Sequence, residues 1–143
     1  MIRRIFLLGA LALSGGLSGC SVLDSIPGGV SADNPLLQTL TDQIGLDAKQ
    51  ATGGGGSILS LASNSLQSGQ FDQIAQAIPG AEGYLAAAKQ LVGSIDSVAE
   101  LNSAFSSLGI SSADAGRLVP AVTDFVGQSG GENAGDLLAG VLR

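Results

Sequence analysis

The apolar positions of this chain recur mostly at intervals of three and four residues, the period of an α-helix. Asn34-Pro35 has the form of a helix start, Asn as N-cap and Pro in the first turn. Leu36, Leu37, Leu40 and Ile44 follow at helical spacing as far as a stop at Gly45. Asp47 and Gln50 make a capping-box pair, and Ala51, Gly55, Ile58, Ala62 and Leu66 then line one helical face. Phe71, Ile74, Ala75 and Ile78 predict a short helix closed by Pro79-Gly80. The longest stripe, Tyr84, Ala88, Leu91, Ile95, Val98, Asn102 and Phe105, predicts a long helical stretch that Gly93 can divide and Gly109 ends. Ser111 with Asp114 opens another helix, carrying Leu118, Val119, Val122, Phe125 and Val126, with Pro120 inside it. After Gly130-Gly131, Leu137, Leu138, Val141 and Leu142 close the chain. No alternating run is long enough for a strand, so the expected class is all-α, a small compact helical bundle.

Part of this pattern repeats. At a shift of 64 residues Ile44-Gly45-Leu46 falls on Leu108-Gly109-Ile110, Asp47 on Ser111 and Gln50 on Asp114. Ala51, Gly55, Ile58 and Ala62 fall on Ala115, Val119, Val122 and Val126, and Ile74, Ala75 and Ile78 on Leu138, Ala139 and Leu142. Two pseudo-repeated helix pairs are expected, about residues 47–78 and 111–142. The first helix of each should bend near its midpoint, at Gly56 and Pro120, and the pairs should share a core. The stretch from Tyr84 to Phe105 should cross between or beside them. It lacks charged flanking pairs, which favours a core helix over an intermolecular coiled coil.

The run Gly53-Gly54-Gly55-Gly56-Ser57 invites comparison with a phosphate loop, but no Lys follows it and no strand precedes it. Two explanations remain: a flexible loop, or a helix packed at very close range through its glycines. Each Gly in a helix costs about 1 kcal/mol, so the second needs a packing reason.

The first 20 residues have a different character. Arg3 and Arg4 precede the apolar run Ile5–Leu13, and small residues follow, the layout of a secretory signal. At about 1.5 Å per residue this run is too short for a hydrocarbon core of about 30 Å. Leu17-Ser18-Gly19-Cys20 resembles the lipobox of bacterial lipoproteins. That resemblance implies a signal peptide over 1–19, a lipidated Cys20 as the new N-terminus, and an anchor in the membrane made by its acyl chains, palmitate among them. It also implies that Ser21, where such proteins carry Asp for inner-membrane retention, sorts the chain to the outer membrane, facing the periplasm. Residues 20–34 then form the acylated Cys and a flexible tether, and residues 35–143 the helical domain.

Composition narrows the chemistry. The 143 residues include no His, no Trp and one Cys, which exclude an intrachain disulfide and the usual zinc or haem ligands. Without residues 1–19 the chain keeps Lys49, Lys89, Arg117 and Arg143 against 12 acidic side chains, a formal charge of −8. Nucleic acid is therefore not an expected partner. Asp96 with Glu100, and Glu132 with Asp136, are spaced one helical turn apart, as solvated acidic faces usually are. The abundant Ser residues lack a base, and only Lys49 and Lys89 remain as amines. Tyr84 is expected at the core edge with its hydroxyl at the surface. No catalytic, metal or cofactor site is expected.

The set Ile44-Gly45-Leu46, Gln50-Ala51 before the glycine run, Ile58–Ala62, Ile78-Pro79-Gly80, Phe105–Gly109, Leu118-Val119-Pro120 and Asp124-Phe125-Val126 resembles the bacterial VcgC/VcgE family, domain of unknown function 2780. The resemblance covers about residues 36–143. It implies a small, helical, exported module and carries no activity, substrate or cofactor. The expectation is a non-enzymatic envelope lipoprotein with a structural role or a protein partner. The alternative is a carrier that holds an acyl chain or another apolar ligand in the bundle.

Overall fold

The computed structural model describes residues 29–31 and 33–143. Among these it contains seven α-helices: α1 (Pro35–Ile44), α2 (Ala48–Ser65), α3 (Ser68–Ala77), α4 (Ala81–Leu91), α5 (Val98–Ser107), α6 (Ser112–Gly130) and α7 (Glu132–Val141). No strand occurs among the described residues, and the fold is all-α. The expected boundary at residue 35 falls inside the folded body. Val30 is 5% exposed and belongs to the core, and Asn34 is 7% exposed.

Local chemistry places most helix ends. Asn34 caps α1 by accepting from the backbone N–H groups of Leu36 and Leu37. Asp47 accepts from the Gln50 N–H while the Gln50 side chain accepts from the Asp47 N–H, the complete capping box. Ser111 accepts from the Asp114 N–H at the start of α6. Gly45 and Gly109 terminate α1 and α5 with φ of 84° and 78°, a left-handed conformation that glycine adopts without a Cβ clash.

Helix α2 is the centre of the molecule. Every residue from Ala51 to Leu59 is buried, so the middle of this helix has no solvent side. Its glycine run is helical, and the flexible-loop alternative fails. Successive residues of a helix point about 100° apart, so four consecutive glycines open four directions. Gly53 faces Leu91 and Leu108, Gly54 faces Leu118 and Ile110, Gly55 faces Tyr84 and Leu40, and Gly56 lies against the backbone of Tyr84 and the Cβ of Ala88. Side chains from α1, α4, α6 and the end of α5 therefore reach the α2 backbone from every side. The two hydroxyls in the buried stretch donate back along the helix, Thr52 to Ala48 O (2.6 Å) and Ser57 to Gly53 O (2.7 Å). That satisfies them without an outside partner.

The stripe from Tyr84 to Phe105 is two helices. Gly93, at φ 88°, ends α4, and residues 92–97 form a connection to α5. The Asn64 side chain of α2 fastens this connection by donating to Ile95 O and Asp96 Oδ1, both at 2.8 Å. Only α4 packs at length on α2, so the stripe is not a single central helix.

The expected repeat is present in the element boundaries. Shifting α3 by 64 residues gives 132–141, the span of α7, and shifting the start of α2 gives 112, the start of α6. The tertiary packing departs from it. Helices α6 and α7 pack along one another, with the Gly127 and Gly135 backbones in contact, whereas α2 spends its close face on α4 and touches α3 little. Helix α3 instead lies across α6 and α7. Burial differs as well: Arg117 and Pro120 of α6 are exposed, while their counterparts Gly53 and Gly56 are enclosed. Pro120 lacks an N–H, so the Gly116 carbonyl has no donor four residues on. Both residues are exposed, which leaves that carbonyl open to water.

Two glycine substitutions should have opposite signs. A methyl at Gly56 would overlap the Tyr84 carbonyl, and backbone cannot swing aside as a side chain can. Gly56→Ala should therefore lower stability by more than about 3 kcal/mol or prevent folding, despite its better helix propensity. Gly116, in the interior of α6, has nothing within 4 Å of its Cβ position. Gly116→Ala should raise stability by about 0.5–1 kcal/mol. Chemical denaturation of the two variants measures both.

Candidate functional site

Cys20 and Ser21, the lipidation and sorting residues expected from the sequence, lie outside the described residues. Among the described residues no helix is long and apolar enough to cross a membrane.

The acidic pairs sit at the surface. The Glu100 carboxylate accepts from the Asp96 N–H at 2.6 Å, in the turn that starts α5, and Asp96 accepts from Asn64. Both carboxylates are thereby engaged in local structure, on exposed residues. Glu132 and Asp136 are exposed too, beside Asp124, around an open depression also lined by Thr123, Gln128 and Gly135. No group of three or more acidic side chains is placed to hold a metal ion among the described residues. Lys49 and Lys89 are exposed. Lys89 stands at a polar depression with Ser60, Ser63, Asn64 and Ser94, next to the connection that Asn64 fastens.

The buried polar chemistry lies elsewhere. Tyr84 is fully enclosed, 0% exposed, where the sequence suggested a hydroxyl at the surface. Its hydroxyl donates to Asn34 Oδ1 at 3.0 Å, and the same oxygen accepts from Leu36 N–H (3.1 Å) and Leu37 N–H (3.3 Å). The Asn34 amide donates to Pro79 O. One asparagine thus joins the start of α1, the turn between α3 and α4, and the first turn of α4. The sequence marked Asn34 only as a cap. The signal for its second role was Tyr84 itself: a buried phenol requires a polar partner.

A third feature is apolar. Val98, Leu101 and Phe105 of α5 face Ala115, Val119 and Pro120 of α6 across a surface groove of about 380 Å³, with Leu142 at its border. Asn102 and Ser112 supply its only polar side chains, and none of its lining residues is charged. Three other depressions carry charge: Asp72 and Glu82 beside Gly80, Lys89 beside Leu85 and Asn64, and the acidic trio on α6–α7.

Burial raises the Tyr84 pKa above its ordinary value of 10, against a smaller opposing effect of the Leu37 backbone N–H. The unfolded chain therefore ionises this phenol first, and stability declines as pH rises past 10. Wild-type protein should lose about 1.4 kcal/mol per pH unit above that point relative to Tyr84→Phe. At neutral pH Tyr84→Phe should cost about 1 kcal/mol, the worth of one buried hydrogen bond. Urea melts of both proteins at pH 7, 10 and 11 give the two numbers.

Comparison with known proteins adds one finding. No curated protein and no solved structure matches this chain. The family model described as protein of unknown function VcgC/VcgE (DUF2780) matches residues 24–143, and with that span, most of its length, the chain belongs to this family.

Proposed function

We propose that this protein is a lipid-anchored envelope protein, held at the outer membrane facing the periplasm through Cys20, that acts by binding another envelope protein and not by catalysis. The observation that carries the binding role is the α5–α6 groove. It is uncharged and open, whereas the depressions beside Gly80, at Lys89 and on α6–α7 carry charge. Of its lining, Leu101 and Phe105 are buried and Val98, Ala115 and Val119 half-buried, and an uncharged seat of this kind suits a protein contact. Its form, a trough between two helices, suits a partner that presents an uncharged apolar helix face. The strongly acidic remainder of the surface disfavours acidic partners and anionic head groups. The lipid on Cys20, rather than the protein surface, would hold it at the membrane.

The anchor is tested by Cys20→Ser. This change should abolish fatty-acid labelling and leave uncleaved or soluble protein; labelling at the wild-type level would remove the lipoprotein assignment. Ser21→Asp should move the protein toward the inner membrane on density fractionation, and an unchanged distribution would remove the sorting role.

The groove is tested by a photo-crosslinking residue at Val119 in intact cells. A discrete adduct with one envelope protein is expected, lost when Ala115→Asp is added and absent with the crosslinker at exposed Gln128. Adducts that survive Ala115→Asp would count against the groove. The carrier alternative draws on the same uncharged lining. Native mass spectrometry would support it through an acyl-chain adduct that Ala115→Asp removes.

A further inference from the structure

Helix α1 is attached to the rest of the molecule in an asymmetric way. Its apolar face, Leu36, Leu37 and Leu40, is buried, and Leu40 lies against the Gly55 side of α2. Its polar side chains do not reach other elements. Thr39 donates to Pro35 O and Thr41 to Gln38 O, both within the helix. Among the described residues, Asn34 makes two side-chain hydrogen bonds that connect residues 29–45 to the remainder of the fold, its amide to Pro79 O and its Oδ1 to the Tyr84 hydroxyl, and the Leu37 backbone N–H acts on the same hydroxyl. At the other end Gly45 leaves α1 at φ 84° with open space around it, a pivot that no side chain obstructs.

We propose that α1 is a hinged strap. It swings out as one unit about Gly45 when the Asn34 clasp releases, uncovering Tyr84 and the Gly55 side of α2 while α2–α7 remain folded. Helix α1 packs on α6 as well as on α2, so opening parts it from both. The α2–α4 contact, the α6–α7 pair and the seat of α3 across that pair are all made without it. Exposure of three leucines keeps the open state a minor one at rest. The clasp is also the first tertiary polar attachment that the chain makes after residue 29. A pull on the preceding segment, or a partner that grips it, therefore loads Asn34 before any other such attachment. Opening would couple what happens before the domain to exposure of its apolar interior. This inference stands apart from the α5–α6 groove, which α1 does not line.

Hydrogen exchange of the full chain, purified in a non-denaturing detergent, tests the strap. The amides from Gln38 to Ile44 should exchange at a common rate, at least about tenfold faster than those of α2, through an opening only weakly sensitive to low urea. Tyr84→Phe should speed exchange in α1 by about two- to tenfold, the effect of losing one hydrogen bond. Three results would overturn the proposal. One is a graded increase in rate from Ile44 toward Gln38, which is fraying. Another is a single rate and a single urea dependence for α1 and α2, which is global unfolding. The third is an α1 rate that Tyr84→Phe leaves unchanged.

Discussion

The carbonyl of Tyr84 occupies the space beside α2 that a side chain at position 56 would fill. This backbone-to-backbone approach sets the spacing of α2 and α4, and much of the structure follows from it. With α4 so close, Ala87 and Ala88 are fully enclosed and the Tyr84 ring is pressed over Gly55. The phenol then projects to Asn34, which fixes where α1 begins. The contact costs helix propensity, about 1 kcal/mol for each of four glycines. What offsets it is close packing around the whole circumference of the buried middle of the helix.

A core built this way holds little polar chemistry. Thr52 and Ser57 bond back to their own helix, and Asn34 and Tyr84 satisfy one another. No buried side-chain polar atom among the described residues is left without a partner. Tyr84 is the ionisable group whose protonation the fold controls, and its phenol serves as a donor within the core. Charged groups stay at the surface, where Asp96 and Glu100 organise a helix start. At the surface lie an acidic exterior and the uncharged trough between α5 and α6, and an asparagine clasps the N-terminal helix.

The two halves show how one local pattern reaches two tertiary outcomes. Asp47 and Ser111 start helices in the same manner, Gly45 and Gly109 precede them with the same backbone geometry, and α3 and α7 have equal length. Yet α2 lies at the centre and α6 at the periphery. The difference resides in four positions. Gly53 to Gly56 accept neighbours on every side, whereas Arg117 and Pro120 at the matching sites need solvent: one for its charge, the other for the carbonyl it leaves unbonded.

Helix number, class and most termini were legible in the residues, because caps, glycine stops and apolar period act over three or four positions and need no distant partner. The capping box at Asp47, the N-cap at Ser111, the break at Gly93 and the stop at Gly109 are examples. The glycine run as a close-packing surface was one of two readings the residues left open, and only the packing around α2 selects it. The remainder depended on contacts between segments far apart in the chain. A stripe drawn on one face of α2 could not show that the opposite face is buried too, because glycine carries no hydrophobic signal. The burial of Tyr84 and its bond to Asn34, 50 residues away, arise only when α4 docks on α2. The α5–α6 groove is a gap between two helices, set by how far apart they are held. Local free energy specifies which residues are helical and where each helix ends; which faces meet is decided by the packing of all seven helices at once.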